Sequence, residues 1–322
     1  MLVSVAYSIH RPEAVQLAAP AMRGHAAVVL EEPEGPGFQD MLSGVLSIDD
    51  YLMATDFEYP DFSRLMCSLL RELHAEGKTI LQIDPYMEVL GNIHERFAGG
   101  GSPEDIPDDS LERAVYRAEK LWSGALLDFY AKSARGTFRD VVEGVKFFGK
   151  ADAARGRLRD DLRAQAIADL VRKRPDLESL LVEAGYIHVY LLTALRRWLP
   201  EGCVLKPLYL LEPVVRELEG RRQHMGPGDA LTVSYVYNPD YDGERADLQA
   251  ARSLVRIKIL TKDELPDDPA GFPHTRDEVE ASRLVRSLDY GECERAYRAI
   301  RRLPTAEARA WVASYVAEKS GA

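Results

Sequence analysis

The stretch Ser179-Leu180-Leu181-Val182-Glu183-Ala184-Gly185-Tyr186-Ile187-His188 decides how the chain is read. A short apolar run ends in a glycine, a histidine follows three residues later, and residues 189–198 then take up a helical spacing. That is the pattern of a buried strand delivering a side chain into a strand-to-helix turn. In open α/β sheets ligands bind beyond the carboxyl ends of the strands, so the pattern puts His188 at a cleft rather than in a core. Its counterpart lies at the start of the chain. Residues 2–8 form another apolar run that leads to His10, ahead of Arg11-Pro12-Glu13 and a second helical pattern.

Further strands follow from the same signal. Ala26-Ala27-Val28-Val29-Leu30 is a short apolar run reached after a helix of about three turns, the signature of a βαβ unit and hence of a parallel pair with residues 2–8. It ends in Glu31-Glu32-Pro33. Thr79-Ile80-Leu81-Gln82-Ile83 predicts a strand ending in Asp84, and residues 204–210 another, placed at or near an edge by Pro207. Leu231-Thr232-Val233-Ser234-Tyr235-Val236-Tyr237 alternates and reads as a further β-like run. Residues 62–76 predict an amphipathic helix closed by Gly77. Residues 158–172 predict another, with Asp160 placed to cap its start. The C-terminal part is helical and charged, with segments at 276–288, 291–303 and 305–318. The expected fold is therefore α/β, a mostly parallel central sheet flanked by helices with a largely helical C-terminal region. Residues 1–212 are expected to form the α/β domain, with a helical insertion at about 86–150, and residues 213–322 to cover the cleft or to make a homodimer.

Composition narrows the function classes. The chain has 322 residues, 46% hydrophobic and 29% charged, with a formal net charge of -11, and no basic stripe of the kind that faces nucleic acid. Cys67, Cys203 and Cys293 are widely spaced without a Cys-x-x-Cys pair, so neither a disulfide framework nor a cysteine zinc site is indicated. Glu13 and Arg23 interrupt the apolar runs near the start, and neither a signal peptide nor a membrane span is expected, which points to a cytoplasmic protein. Gly99-Gly100-Gly101 lacks a preceding strand and a following Lys-Ser/Thr, so it reads as a connection and not as a phosphate loop. Gly91-Asn92-Ile93-His94 repeats the Gly-x-x-His spacing but sits mid-helix and reads as a chance match.

Parallel geometry gathers His10, Glu31 or Glu32, Asp84 and His188 on one carboxyl edge. Imidazole and carboxylate donors suit a divalent ion such as zinc, manganese or cobalt, here with His10, Glu31 and His188 as its ligands, and an open position would activate water. A metal-free site also works, with Glu31 as general base and its pKa raised by burial and by the charges of Glu32 and Asp84. Alternation along a strand lets only one of the paired acids face the cleft. Glu31 is expected to point in and Glu32 to be solvated or paired with an arginine. Arg159 is expected to bind a substrate carboxylate or phosphate, or to pair with an edge acid. Asp84, Gly185 and Tyr7 are expected to border the substrate.

Val5-Ala6-Tyr7-Ser8-Ile9-His10, Val28-Val29-Leu30-Glu31, Arg159-Asp160 and Val182-Glu183-Ala184-Gly185-Tyr186-Ile187-His188 occur in the order and placement of a known superfamily. In these stretches, over roughly residues 1–212, the chain resembles the TraB/PrgY, Tiki, GumN, ChaN and erythromycin-esterase-like proteins. Two positions depart from the superfamily's pattern: Tyr7 stands where the first Gly-x-x-His has glycine, and Asp160 where an Arg-Asn pair has asparagine. The resemblance implies a hydrolase of amide or ester bonds, metal-dependent in some members, acting through His10, Glu31, Arg159 and His188 on a small molecule or peptide. It also implies a rival reading, a binding or sequestration protein of the same fold, in which Tyr7 fills the space a substrate would need.

Overall fold

The computed structural model describes residues 1–55, 58–265 and 271–321. Its strands are β1 (Leu2–Ser8), β2 (Ala27–Leu30), β3 (Thr79–Gln82), β4 (Ser179–Gly185) and β5 (Val204–Tyr209). They form one five-stranded sheet in the order β3-β2-β4-β1-β5, with every neighbouring pair parallel. The helices of the first half are α1 (Pro12–Arg23), α2 (Phe38–Ser43), α3 (Ile48–Ala54), α4 (Pro60–Ala75), α5 (Pro85–Ala98), α6 (Leu111–Arg135) and α7 (Phe138–Lys173). Those of the second half are α8 (Val189–Trp198), α9 (Glu212–Glu219), α10 (Pro227–Tyr237), α11 (Glu244–Ile259), α12 (Pro273–Arg286), α13 (Tyr290–Ile300) and α14 (Thr305–Gly321). The protein is thus an α/β fold with helices in its C-terminal region. Among the described residues no helix is long and apolar enough to cross a membrane.

The expected pairing of β1 with β2 is corrected: the two are parallel but not neighbours, because β4 enters between them and Val182 pairs with Val5 on one side and Val29 on the other. Leu180, Leu181 and Val182 are fully buried, and a strand apolar on both faces gains most at the centre of a sheet covered on both sides. β5 takes an edge, where Pro207 removes no ladder bond that the sheet needs.

Successive strand residues point to opposite faces, which gives the sheet two distinct cores. Ala6, Val28, Leu30 and Leu181 pack with Met22 of α1, Met41 of α2 and Leu70 and Leu73 of α4. Val3, Val5, Tyr7, Val29, Val182 and Ala184 pack with Ala164, Ile167 and Val171 of α7 and with Leu191 and Leu195 of α8.

By contacts the chain divides into two compact units, residues 1–116, 157–213 and 264–272 in one, and residues 117–156, 214–263 and 273 onward in the other. The first holds the whole sheet and every candidate site residue. In the second, Leu231, Val255, Val279, Ala296 and Val312 are buried, and the Lys146 ammonium is held by Asp242 at 2.6 Å, Asp247 at 2.6 Å and Glu143 at 3.2 Å.

Two local readings are corrected. The β-like run at residues 231–237 is helix α10. Pro227 suits its first turn, the Asp229 carboxylate accepts the Gly226 N–H, and Leu231, Tyr235 and Val236 are buried at helical spacing. Packing of that face outweighs the strand preference of valine and tyrosine. Asp160 does not cap a helix either. It lies well inside α7, which already starts at Phe138. Gly144 and Gly149 break the apolar spacing there, but they let α7 pack closely: a Cβ would come within 3.3 Å of Phe129 Cα at the first and 3.4 Å of the Tyr235 ring at the second.

Candidate functional site

At the carboxyl edge of the sheet, on the face that carries α4, lies a cavity of about 200 Å³ whose lining includes His10, Glu31, Glu32, Glu183, Tyr59 and Phe62. The turns after β1 and β4 are tied together by the Tyr186 N–H, which donates to the Ser8 carbonyl at 2.8 Å. This fixes the approach of His10, whose ring stacks on Phe62 of α4 with centroids 5.2 Å apart. Its Nε2 lies 3.1 Å from Oε1 of Glu183. Glu183 is two residues past Leu181 on β4, so its side chain leaves the sheet on the same face. Its Oε2 accepts the backbone N–H of Glu31 at 3.1 Å. His10, Glu31 and Glu183 each offer a donor atom, and the three donors all lie within 4.8 Å of one another.

Behind this group, Glu31 is held by cations and a backbone amide. Its Oε1 is 2.9 Å from His188 Nε2 and 3.2 Å from Arg159 Nη1, and its Oε2 accepts the Gly185 N–H at 2.7 Å. The other ring nitrogen of His188, Nδ1, is 2.6 Å from Oδ1 of Asp160. Arg159 Nε donates to Asp84 Oδ2 at 2.7 Å. Arg163 donates through Nε to the Ile83 carbonyl at 3.0 Å and through Nη2 to the Glu183 carbonyl at 2.6 Å. Its Nη1 lies 3.7 Å from Glu31 Oε2. Residues four apart on a helix share a face, so α7 sends both arginines, with Asp160 beside them, to the same end of the sheet.

The electrostatics separate the two layers. Burial alone would raise the Glu31 carboxyl, but the charges of His188, Arg159 and Arg163 and the hydrogen bond from His188 outweigh it and hold the group well below the ordinary 4.5. The raised Glu31 pKa expected for a general base is therefore not found. Three cations face the carboxylate and outweigh the neighbouring acids on which that expectation rests; Arg159 is paired with the edge acids Glu31 and Asp84, one of the two roles its place in the sequence suggests. Burial lowers His188 as well, yet Glu31 and Asp160 carry it up to about 10. His10 is lowered by burial and raised by more through its hydrogen bond and charge contact with Glu183, to about 8. Glu32 goes the other way. Burial and the nearby charge of Glu183 lift it above the ordinary 4.5, against the hydrogen bond from Gln82.

Of the residues singled out in the sequence, His10, Glu31, Arg159 and His188 come together. Glu32 was expected to face away from the cleft, but it lines the cavity beside Glu31. The strand ends at Leu30, so alternation no longer governs the two acids, and the Glu32 partner is Gln82 Nε2 at 2.9 Å rather than an arginine. Asp84 is fully buried behind the cavity, where it caps α5 through the Met87 N–H and receives Arg159. Gly185 acts through its N–H and its lack of a side chain, since a Cβ there would stand 3.4 Å from His188 Cδ2. Tyr7 is buried in the core under α7 and α8 and stacks on Tyr209 at 5.4 Å.

Two contributors lie outside what the strand-end pattern of the sequence selects. Glu183 interrupts a run that is otherwise buried and apolar, and an acid at such a position is costly unless it is paired, which is the signal that would have found it. Arg163 sits one helical turn beyond Arg159, and only the path of α7 under the sheet shows that it reaches Glu31.

Fold and site together define an all-parallel α/β protein with one imidazole and several carboxylates converging on a cavity at the carboxyl edge. An uncharacterized protein of Archaeoglobus fulgidus is similar to the chain, 28% identical over 297 residues that span 91% of this chain and 97% of that protein. No protein-family model and no solved structure matches it.

Proposed function

We propose that this protein is a hydrolase of amide or ester bonds acting on a small molecule or peptide, and that it belongs with the TraB/PrgY, Tiki, GumN, ChaN and erythromycin-esterase-like proteins. The observation that carries the reading is the convergence of His10, Glu31 and Glu183 within 4.8 Å at the wall of a cavity beyond the strand ends. One imidazole and two carboxylates are a donor set that manganese, cobalt and zinc all accept. A divalent ion held by these three residues would supply hydroxide near neutral pH by lowering the pKa of a bound water toward ~7.

The remaining residues divide the other tasks. Glu31 has donors on both oxygens, which makes it a fixed anion and a poor proton acceptor. Arg159 acts through Glu31 and Asp84 and is a positioning residue. Glu32 and Glu58 are the cavity-wall carboxyls outside the three converging donors, and Glu32, held on one oxygen by Gln82 and lifted above the ordinary 4.5 by burial, is the group to hand a proton to the leaving atom. Tyr59 and Phe62 wall the cavity against water. The feature that would favour pure binding, Tyr7 filling the substrate space, is absent from the cavity lining, because Tyr7 packs in the core.

The test is a screen of ester and peptide libraries with and without chelator, run beside mass spectrometry of co-purified ligands. Turnover is expected, with a loss of about 100-fold or more in Glu32→Gln and in His10→Ala. A tightly bound small molecule with no turnover of any library would establish the binding protein instead, and full turnover in chelator-treated protein would remove the ion from the mechanism.

A further inference from the structure

We infer that the divalent-ion site of this chain is built from His10, Glu31 and Glu183, and that His188, the second histidine of the sequence pattern, positions Glu31 instead of binding the ion. This rests on the proposed ion-dependent site, and its test reads ion binding without reference to turnover.

The geometry excludes His188 first. Both of its ring nitrogens already face carboxylate oxygens, Nδ1 that of Asp160 at 2.6 Å and Nε2 that of Glu31 at 2.9 Å. The Asp160 side chain is only 3% exposed and that of Glu31 only 5%. To ligate an ion through Nε2, the ring would have to admit it between side chains only 14% and 5% exposed, at an oxygen that Arg159 Nη1 already holds at 3.2 Å, whereas the His10 side chain is 38% exposed.

Glu183 meets the requirements of a ligand as it stands. Two donors each about 2.1 Å from an ion, at the angles of octahedral or tetrahedral coordination, lie about 3.0–3.4 Å apart. Glu183 Oε1 and His10 Nε2 are 3.1 Å apart, so an ion can take the place of the proton they share with little movement of either side chain. The second oxygen of Glu183 is tied to the Glu31 N–H, and its own carbonyl to Arg163, which fixes the carboxylate from two sides. Glu31 keeps one oxygen, Oε2, with a single close hydrogen bond and so with a lone pair to give. His10 retains a partly open ring, its side chain 38% exposed, at the mouth of the group. Packing does not call for an acid at this point of β4, since the preceding position on the same face is Leu181, in the apolar core. An ion ligand accounts for it.

The experiment uses the full chain stripped with chelator and dialysed, then titrated with cobalt(II) and manganese(II), with affinity followed by calorimetry and coordination by the cobalt visible bands. Wild type is expected to bind one ion per chain. Glu183→Gln and the charge-retaining Glu183→Asp, each checked for folding by circular dichroism, are expected to lose about 100-fold in affinity or more and to shift the cobalt bands. His188→Gln, which removes an orienting partner, is expected to lose about 10-fold and to leave the band positions unchanged. Shifted bands in His188→Gln with unchanged bands in both Glu183 variants would overturn the assignment and restore the two-histidine set. Wild type that binds no ion at millimolar concentration would overturn the site itself, whatever the hydrolase screen shows.

Discussion

Replacing Arg163 with methionine is expected to destabilise the sheet-bearing unit by about 3–5 kcal/mol, read from the urea midpoint of full-length protein. Methionine has nearly the length to fill the space, so the loss isolates charge and hydrogen bonding rather than volume. Arg163 is 1% exposed and is among the largest fully buried side chains of the chain. It satisfies two backbone carbonyls at strand ends, those of Ile83 and Glu183, and each carbonyl left buried without a donor costs about 1–3 kcal/mol. It also supplies one of the positive charges facing Glu31, and a carboxylate only 5% exposed loses part of its compensation when that charge goes. Arg174→Met, just past the end of α7 and paired with Asp176 in solvent, serves as the control and is expected to leave the midpoint nearly unchanged. Equal midpoints for Arg163→Met and the control would show that the carbonyls and Glu31 find other partners, and that the buried network is not what holds the strand ends together.

The second large effect is an alkaline loss of stability that His188→Gln removes. A histidine whose pKa is raised on folding contributes stability that is fully present below its ordinary value and is lost as the pH rises through the folded value. For His188 that window runs from 6.5 to about 10. His10 adds a smaller contribution of the same sign, from 6.5 to about 8. Glu31 is lowered, so its contribution is present above 4.5 and fails only as the pH falls through its depressed folded value. The stability that His188, His10 and Glu31 contribute is therefore greatest between about pH 4.5 and 6.5 and declines toward pH 10, while Glu32, lifted above 4.5 by burial, takes stability away as the pH rises past that value. Thermal midpoints taken across that range should fall on the alkaline side by the equivalent of a few kcal/mol in wild type, and far less in His188→Gln. An alkaline slope that survives His188→Gln intact would mean that the ring is not charged in the folded protein.

The sequence carried the frame of this site because strand ends are local signals. Residues 2–8 and 179–185 announce themselves as buried strands, and the rule that ligands collect at carboxyl ends then selects His10, Glu31 and His188 without any knowledge of distances. The roles were harder to read. Glu31 looks like an acid crowded by Glu32 and Asp84 when only its neighbours in the chain are seen, but the groups that set its charge state, Arg159, Arg163 and His188, come from α7 and from the turn after β4. Glu183 gives no strand-end signal, because it lies within a strand rather than beyond its end. The strand order was not legible either, since the residues that separate β1 from β2 come more than a hundred positions later and leave no trace in the βαβ pattern. At α10 the sequence preference pointed toward strand, and only the burial of Leu231, Tyr235 and Val236 on one helical face decides otherwise.

The insertion of β4 between β1 and β2 also sets an order of events during synthesis. β1 has only β4 and β5 as sheet neighbours, so the first strand to leave the ribosome has no partner until residues 179–185 follow it. β2 and β3 can pair much earlier, but the edge of β2 that later receives β4 stays open for the same interval. Long-range parallel pairing of this kind is slow and leaves unpaired strand edges exposed, so a chain that stalls at this stage is expected to aggregate. Chains ending before residue 179 should accordingly be insoluble, although they contain His10, Glu31, Glu32, Asp84 and Arg159. Glu183, Gly185 and His188 all arrive with β4 or the turn after it, so the pocket is completed in the same step that joins β1 to β2 through β4, and the chain before that step carries no assembled site.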